Sequence, residues 1–349
     1  MAYIVIKMFI IIAVFMFFKP AVFYVGVATM VSSLFIIYHN IKFTNELLPM
    51  IKIKKENFSF QKIKVLISSG LWNSITNLGN ILADGLDLII SNIMIDPSTM
   101  GIVALAKVPS NVFNTILSSI SNVFQPQILS YYTKDDLDGV VNETKKSMKI
   151  CGIIGNIPFT YILVFGFCFC SIWMPSVDVR MLNILCIITF INIFVSGITN
   201  TLYNIFTIMN KVKIVAVLNI VCGFISTSLV FILLNLTDLG VYAIVGVSAF
   251  VWAIKGLLIV PLYVAKCLQI KLISFFFEII RYFISTIIMT IIFIAIRFVF
   301  LPNNWIQIIF SVFICGVVGL ATNYYILLNY SDRVEIINLV KSKLNIKKD

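Results

Sequence analysis

Charge is scarce in this chain and histidine nearly absent. Of 349 residues only 12% are Asp, Glu, Lys or Arg, and His39 is the single histidine. A soluble domain carries about twice that charge, so soluble enzymes and nucleic-acid binders are excluded. One histidine, at the end of an apolar run, cannot build an imidazole metal or acid–base centre. No G-x-x-x-x-G-K-[ST] phosphate loop occurs, and Gly79, Gly85 and Gly101 stand in helix or turn contexts. The seven cysteines are odd in number, and Cys168-x-Cys170 is not a zinc spacing. They read as reduced thiols packing as small apolar residues, which excludes a secreted disulfide scaffold. Asp135, Asp136 and Asp138 cluster in a short polar connector and read as solvated. No cofactor is called for.

What is present is apolar surface. The apolar share is 60%, the aromatic share 13%, and the mean hydropathy +1.04. Runs of about 20 apolar residues mark membrane spans. About ten occur: 3–18, 21–38, 68–94, 100–130, 149–173, 181–209, 213–235, 239–265, 277–300 and 305–328. The fold class is therefore an all-α polytopic membrane protein. Lys19-Pro20 breaks the first pair, which reads as a tight hairpin, one kinked helix being the alternative. No small-residue cleavage pattern follows the first run, so it is kept as mature chain.

Alternating the spans from an inside N-terminus puts 21 of the 26 Lys and Arg in inside segments and 2, Lys19 and Arg180, in outside turns. That bias follows the positive-inside rule and explains the +11 net charge as orientation signals facing anionic lipid. Both termini are expected in the cytoplasm. The outside turns are too short to hold a domain.

Polar residues at membrane depth carry the functional signal, because each is costly there. In 68–94, Asn73, Asn77, Asn80, Asp84, Asp87 and Ser91 recur at helical spacing, one face of one helix. In 100–130, Lys107, Asn111, Asn114, Ser118, Ser121 and Gln125 do the same. Two such stripes predict the wall of an aqueous cavity; interhelical hydrogen bonding is the competing account. Shorter polar faces contain Ser196, Asn200, Tyr203 and Asn204; Asn219 and Ser226; and Ser248, Trp252 and Lys255. Asp87 and Lys107 each lie ten residues from the turn at 97, which predicts an ion pair across a hairpin. Lys255 lies about 24 Å from the outer turn at 1.5 Å per residue, either in the cavity or snorkelling to the inner interface. Arg297, near an outer helix end, reads as snorkelling. The substrate-binding candidates are thus Lys107, Lys255, Asn73, Asn77, Asn111 and Asn114, with Asp84 and Asp87 for ion coupling.

The run Ser69-Gly70-Leu71-Trp72-Asn73-Ser74-Ile75, with Asn77-Leu78-Gly79 and Gly85-Leu86-Asp87-Leu88-Ile89-Ile90-Ser91-Asn92, resembles the first helix of the C-terminal lobe of Wzx-type polysaccharide flippases. Met100-Gly101, then Ala104-Leu105-Ala106-Lys107-Val108-Pro109, and Phe124-Gln125-Pro126-Gln127 resemble the two ends of that lobe's second helix. These flippases belong to the multidrug/oligosaccharidyl-lipid/polysaccharide exporter superfamily. The likeness covers roughly 60–268, and Asn73, Asp87 and Lys107 are the positions it carries over. It implies a remnant of an N-terminal lobe at 1–38, lacking the family's first four helices. A basic cytoplasmic inter-lobe loop at 39–67 follows, then a six-helix C-terminal lobe at 68–268. Two further helices and a basic tail occupy 269–349.

The implied activity is alternating-access transfer of an undecaprenyl-pyrophosphate-linked oligosaccharide across the bacterial cytoplasmic (inner) membrane, for O-antigen or other surface polysaccharide. The implied partners are that lipid-linked substrate, membrane lipids, a polysaccharide polymerase and a chain-length regulator; nucleic acid is not among them. The chain is expected not to be an enzyme. Two other readings compete. A drug or small-molecule cation antiporter of the same superfamily would rely on a cavity acid such as Asp84. An integral-membrane polymerase or glycosyltransferase would need a sizeable outside loop, which is lacking.

Overall fold

The computed structural model describes residues 2–18, 21–47, 59–82, 86–330 and 332–334. It is helical throughout, with no strand among the described residues. The chain divides into two units, Met1–Ile67 and Ser68–Asp349, the division falling inside the third helix.

In the first unit, α1 (Ala2–Phe17) and α2 (Val22–Leu47) are separate helices packed together, the hairpin expected from Lys19-Pro20. Only Ala28 and Ser32 of α2 are buried. The faces left bare are Phe, Ile, Met and Val, as suits helices surrounded by hydrocarbon.

Helix α3 (Phe60–Asn80) leads into the second unit. There α4 (Leu86–Met94), α5 (Pro97–Tyr132), α6 (Leu137–Trp173), α7 (Val179–Ile208), α8 (Val212–Leu236) and α9 (Val241–Ile254) follow. A π-helical turn, Lys255–Ile259, joins α9 to α10 (Val260–Cys267), and α11 (Phe276–Val299) and α12 (Trp305–Ile326) complete the order. Eight helical segments among the described residues are long and apolar enough to cross a membrane: α2, α5–α8, the continuous α9–α10, α11 and α12. The chain is a polytopic membrane protein.

Two expected spans differ. α1 is a shorter apolar helix, and 68–94 is not one helix. α3 ends at Asn80, Ile81 and Leu82 are π-helical, and α4 begins at Leu86, with 83–85 outside the described residues. A carbonyl freed at such a break needs a donor, since lipid offers none. Thr227 of α8 supplies it, its hydroxyl donating to the Leu82 carbonyl at 3.1 Å. Helices α5 and α6 run 36 and 37 residues, or about 54 Å at 1.5 Å per residue, well beyond a 30 Å hydrocarbon core. The connector at 131–149 is therefore largely helical, with Asp136 as the N-cap of α6 accepting from the Gly139 N–H at 2.8 Å.

The α4–α5 turn shows why the chain reverses there. Asp96 caps α5, its Oδ1 accepting from the Ser98 and Thr99 N–H groups at 2.8 and 2.9 Å, and Pro97 opens the helix. The Ser98 and Thr99 hydroxyls also donate to this carboxylate, both at 2.6 Å. Those hydroxyls, together with the Thr99 N–H, hold the Asp96 carboxyl well below its usual value of 3.8.

The core gathers on α6 and α7, which cross at Gly155 and Gly197. A Cβ on Gly155 would lie 2.7 Å from the Gly197 Cα, so this crossing requires glycine and gains close backbone packing in return. Tyr282 of α11 seals it, donating to the Phe194 carbonyl at 2.9 Å. Asn156 and Asn323 exchange amide hydrogen bonds at 2.9 and 3.1 Å, fixing α12 against α6. Arg297 does not reach outward. It is half-buried and donates to the Val164 carbonyl of α6 at 2.7 Å, tying α11 to α6.

At the lysine-rich end, Lys149 is buried between two carboxylates, 2.8 Å from Asp332 and 3.9 Å from Glu278. This ion cluster joins α6 to α11 and to the segment after α12. All seven cysteines are free, and all but Cys267 are buried.

Candidate functional site

The second unit encloses a cavity of about 440 Å³. Its walls are polar faces of helices that are apolar elsewhere. α3 gives Thr76 and Asn80, and α5 gives Asn114 and Ser118. α7 gives Asn192, Ser196, Thr199, Asn200 and Tyr203, α8 gives Asn219, and the α9–π junction gives Trp252 and Lys255. Five asparagines and one cation line it, and no carboxylate stands among the described lining residues.

Lys255 organises one side. It is 1% exposed, so the snorkelling alternative fails: the π-turn it begins aims the side chain inward. Its ammonium donates to Asn219 Oδ1 at 2.9 Å and sits 3.0 Å from the centre of the Trp252 ring. An ammonium over an indole face is held by the ring's negative face. Asn219 then donates to Asn80 Oδ1 at 2.9 Å. With Asn219 Oδ1 accepting from the lysine, both amides in the chain have a fixed sense, and the Asn80 amide hydrogens are left for other partners. Close approach of α3 and α8 makes this possible, for a Cβ on Gly79 would fall 2.7 Å from Asn219 Cβ. Across the cavity, Asn200 donates to the Ser118 hydroxyl at 3.5 Å, a long contact.

On two of the lining residues a buried atom has no hydrogen-bond partner: Asn192 Oδ1 and Trp252 Nε1, both occluded from the open space. A buried donor or acceptor left unpaired costs roughly 1–3 kcal/mol.

A second polar network lies elsewhere in the unit. Asp87 Oδ2 accepts from Lys107 Nζ at 2.8 Å and Asp87 Oδ1 from the Ser248 hydroxyl at 2.8 Å. Asp87 is 3% exposed. The pair predicted from the hairpin register is present, and Ser248 extends it to α9.

Of the substrate-binding candidates, Lys255 and Asn114 line the cavity. Lys107 does not; it faces Asp87. Asn77 and Asn111 are exposed and stand apart from the lining. Asn73 lies in α3 with its side chain outside the described residues, and Asp84 lies outside them altogether. The two stripes are thus not one continuous wall. The break after Asn80 separates the upper part of the first stripe, where Asp87 and Ser91 are buried against neighbouring helices. Ser121 likewise meets Asn204, whose amide donates to its carbonyl at 3.0 Å. Asn192 and Thr199 escaped the sequence reading. Carrying the Ser196 series back one turn along α7 would have found Asn192.

No family model matches the sequence, and no solved structure matches it. Among curated proteins it is 25% identical over 254 residues to the uncharacterized membrane protein EpsK of Bacillus subtilis (strain 168), covering 71% of this chain and 49% of that protein. The chain spans about half the length of this relative.

Proposed function

We propose that this polytopic membrane protein moves a lipid-linked oligosaccharide across the bacterial cytoplasmic membrane. The cargo is an undecaprenyl-pyrophosphate-linked repeat unit, carried by alternating access and passed to a polymerase and its chain-length regulator. The cavity of about 440 Å³ carries this reading. Asparagine amides and hydroxyls suit sugar hydroxyls, Lys255 suits a phosphate oxygen, and the apolar outer faces leave a polyprenyl tail in the bilayer. Both termini face the cytoplasm in this account, on the strength of the lysine and arginine distribution. Residues 68–268 act as one six-helix lobe, with the last two helices beside it. Asp84 and Asp87 provide ion coupling, Asp87 as an acid whose ammonium partner a proton or cation displaces.

The test is transport by the purified chain in vesicles holding a fluorescent undecaprenyl-pyrophosphate-linked oligosaccharide. Label on the inner leaflet should become accessible to a membrane-impermeant quencher, and Lys255→Met should slow this at least tenfold. Quenching no greater than in protein-free vesicles would refute the proposal.

A further inference from the structure

Helix α5 divides its exposed surface into two sectors. At about 100° per residue, Val112, Ile116 and Val123 fall together on one side, 55%, 40% and 72% exposed, as a face against hydrocarbon should be. Asn111, Thr115, Ser118 and Asn122 form the neighbouring sector and are exposed too. The Thr115 hydroxyl returns to the Asn111 carbonyl of its own helix at 2.9 Å. The Asn111 and Asn122 amides have no hydrogen-bond partner among the described residues. Pro97 opens α5 at the outer turn. Asn111 therefore lies about 21 Å along the helix, inside a hydrocarbon core of about 30 Å, and Asn122 about 37 Å along, near its inner edge. Lipid offers an amide no partner there. No charged residue occurs from 108 to 133, and Lys107, just before this stretch, is held by Asp87 at 2.8 Å. The sector is neutral, and each amide or hydroxyl on it both donates and accepts.

We propose that this sector is the contact between two copies of the chain, α5 against α5. The occupant follows from the chemistry. The same Lys and Arg distribution inserts every copy the same way across the membrane. A two-fold axis along the membrane normal then sets each residue at the depth of its own counterpart. Asn111 meets the same asparagine of the second copy, and so does Asn122. Two facing asparagines exchange a pair of amide hydrogen bonds, as Asn156 and Asn323 do within this chain at 2.9 and 3.1 Å. Neutrality lets like meet like without repulsion, and the valine sector stays in lipid. Asn114 and Ser118 of the same helix line the cavity, so the seam runs alongside a cavity in each copy.

Disulfide trapping in membranes tests the pairing. In the chain freed of its own cysteines, single cysteines replace Asn111, Thr115 and Asn122 in one set and Val112 and Val123 in the other. Oxygen with copper phenanthroline then oxidises facing thiols. The first set should yield about fivefold more covalent dimer than the second, because a disulfide needs its two Cα atoms within about 7 Å. Energy transfer between separately labelled copies of the full chain, cysteines retained, in lipid vesicles gives an independent reading. Asn111→Leu combined with Asn122→Leu should weaken that association about tenfold without lowering the unfolding temperature of the single chain. Equal trapping in both sets, or energy transfer no greater than chance proximity gives, would overturn the proposal. Labelling of the first set by a membrane-impermeant maleimide without trapping would put water against the sector. A covalent link to a different protein would put another partner there. Either result also overturns the proposal, and none of these outcomes bears on the cargo.

Discussion

Two polar networks within the second unit share their ingredients and differ in their state. Around Asp87, a lysine and a serine each meet a carboxylate oxygen at 2.8 Å, tying together α4, α5 and α9. Around Lys255, the ammonium also has partners, yet Asn192 Oδ1 and Trp252 Nε1 beside the same cavity have none. The first network ties three helices together in register. The second borders a cavity lined by asparagines and hydroxyls. Polar density at membrane depth therefore does not distinguish a joint from a candidate binding site; the open space beside it does.

The comparison can be broken most forcefully at the ion pair. Lys107→Met leaves the Asp87 carboxylate buried without its ammonium and should destabilise the protein by about 3 kcal/mol. Adding Asp87→Asn should recover most of the loss. Thermal unfolding in detergent reads both, and a single change that costs nothing would remove the joint from the account. A smaller effect is expected at the α3–α8 crossing. Gly79→Ala sets a Cβ 2.7 Å from Asn219 Cβ and should cost about 2 kcal/mol through overpacking. It should also weaken binding of the lipid-linked oligosaccharide, because the Lys255–Asn219–Asn80 chain must shift. Unchanged stability and binding would show that the crossing does not position the cavity.

The smallest effect belongs to the Asp96 cap, which lies outside both networks. Because the folded protein lowers this carboxyl from 3.8, its stabilisation is fully present above that value and declines as pH falls below it. Asp96→Ala should lower the unfolding midpoint at pH 7 and differ less from the unaltered chain at pH 3. A constant gap across that range would contradict the capping role.

Much of this architecture was legible from residue order. Long apolar runs gave the helices, and counting ten residues from the turn gave the Asp87–Lys107 pair. Depth alone placed Lys255 inside the membrane, though its partner Asn219 stands 36 residues earlier and no periodicity links them. The break after Asn80 was hidden because its flanking polar residues keep helical spacing straight through it. Asn192 was hidden differently, standing alone among isoleucines and phenylalanines one turn before the Ser196 series. The inward course of Lys255 depends on the π-turn at Lys255–Ile259, and the local sequence, Lys-Gly-Leu-Leu-Ile, gives no sign of one.

The central claim is that the asparagine-lined space admits the cargo while the network around Asp87 admits nothing larger than the coupling ion. In a chain freed of its seven cysteines, single cysteines at Asn200 and at Ser248 can be exposed to a membrane-impermeant maleimide. The account predicts labelling at position 200, protected by the lipid-linked oligosaccharide, and none at position 248. Silence at 200, or equal labelling at both positions, would contradict it.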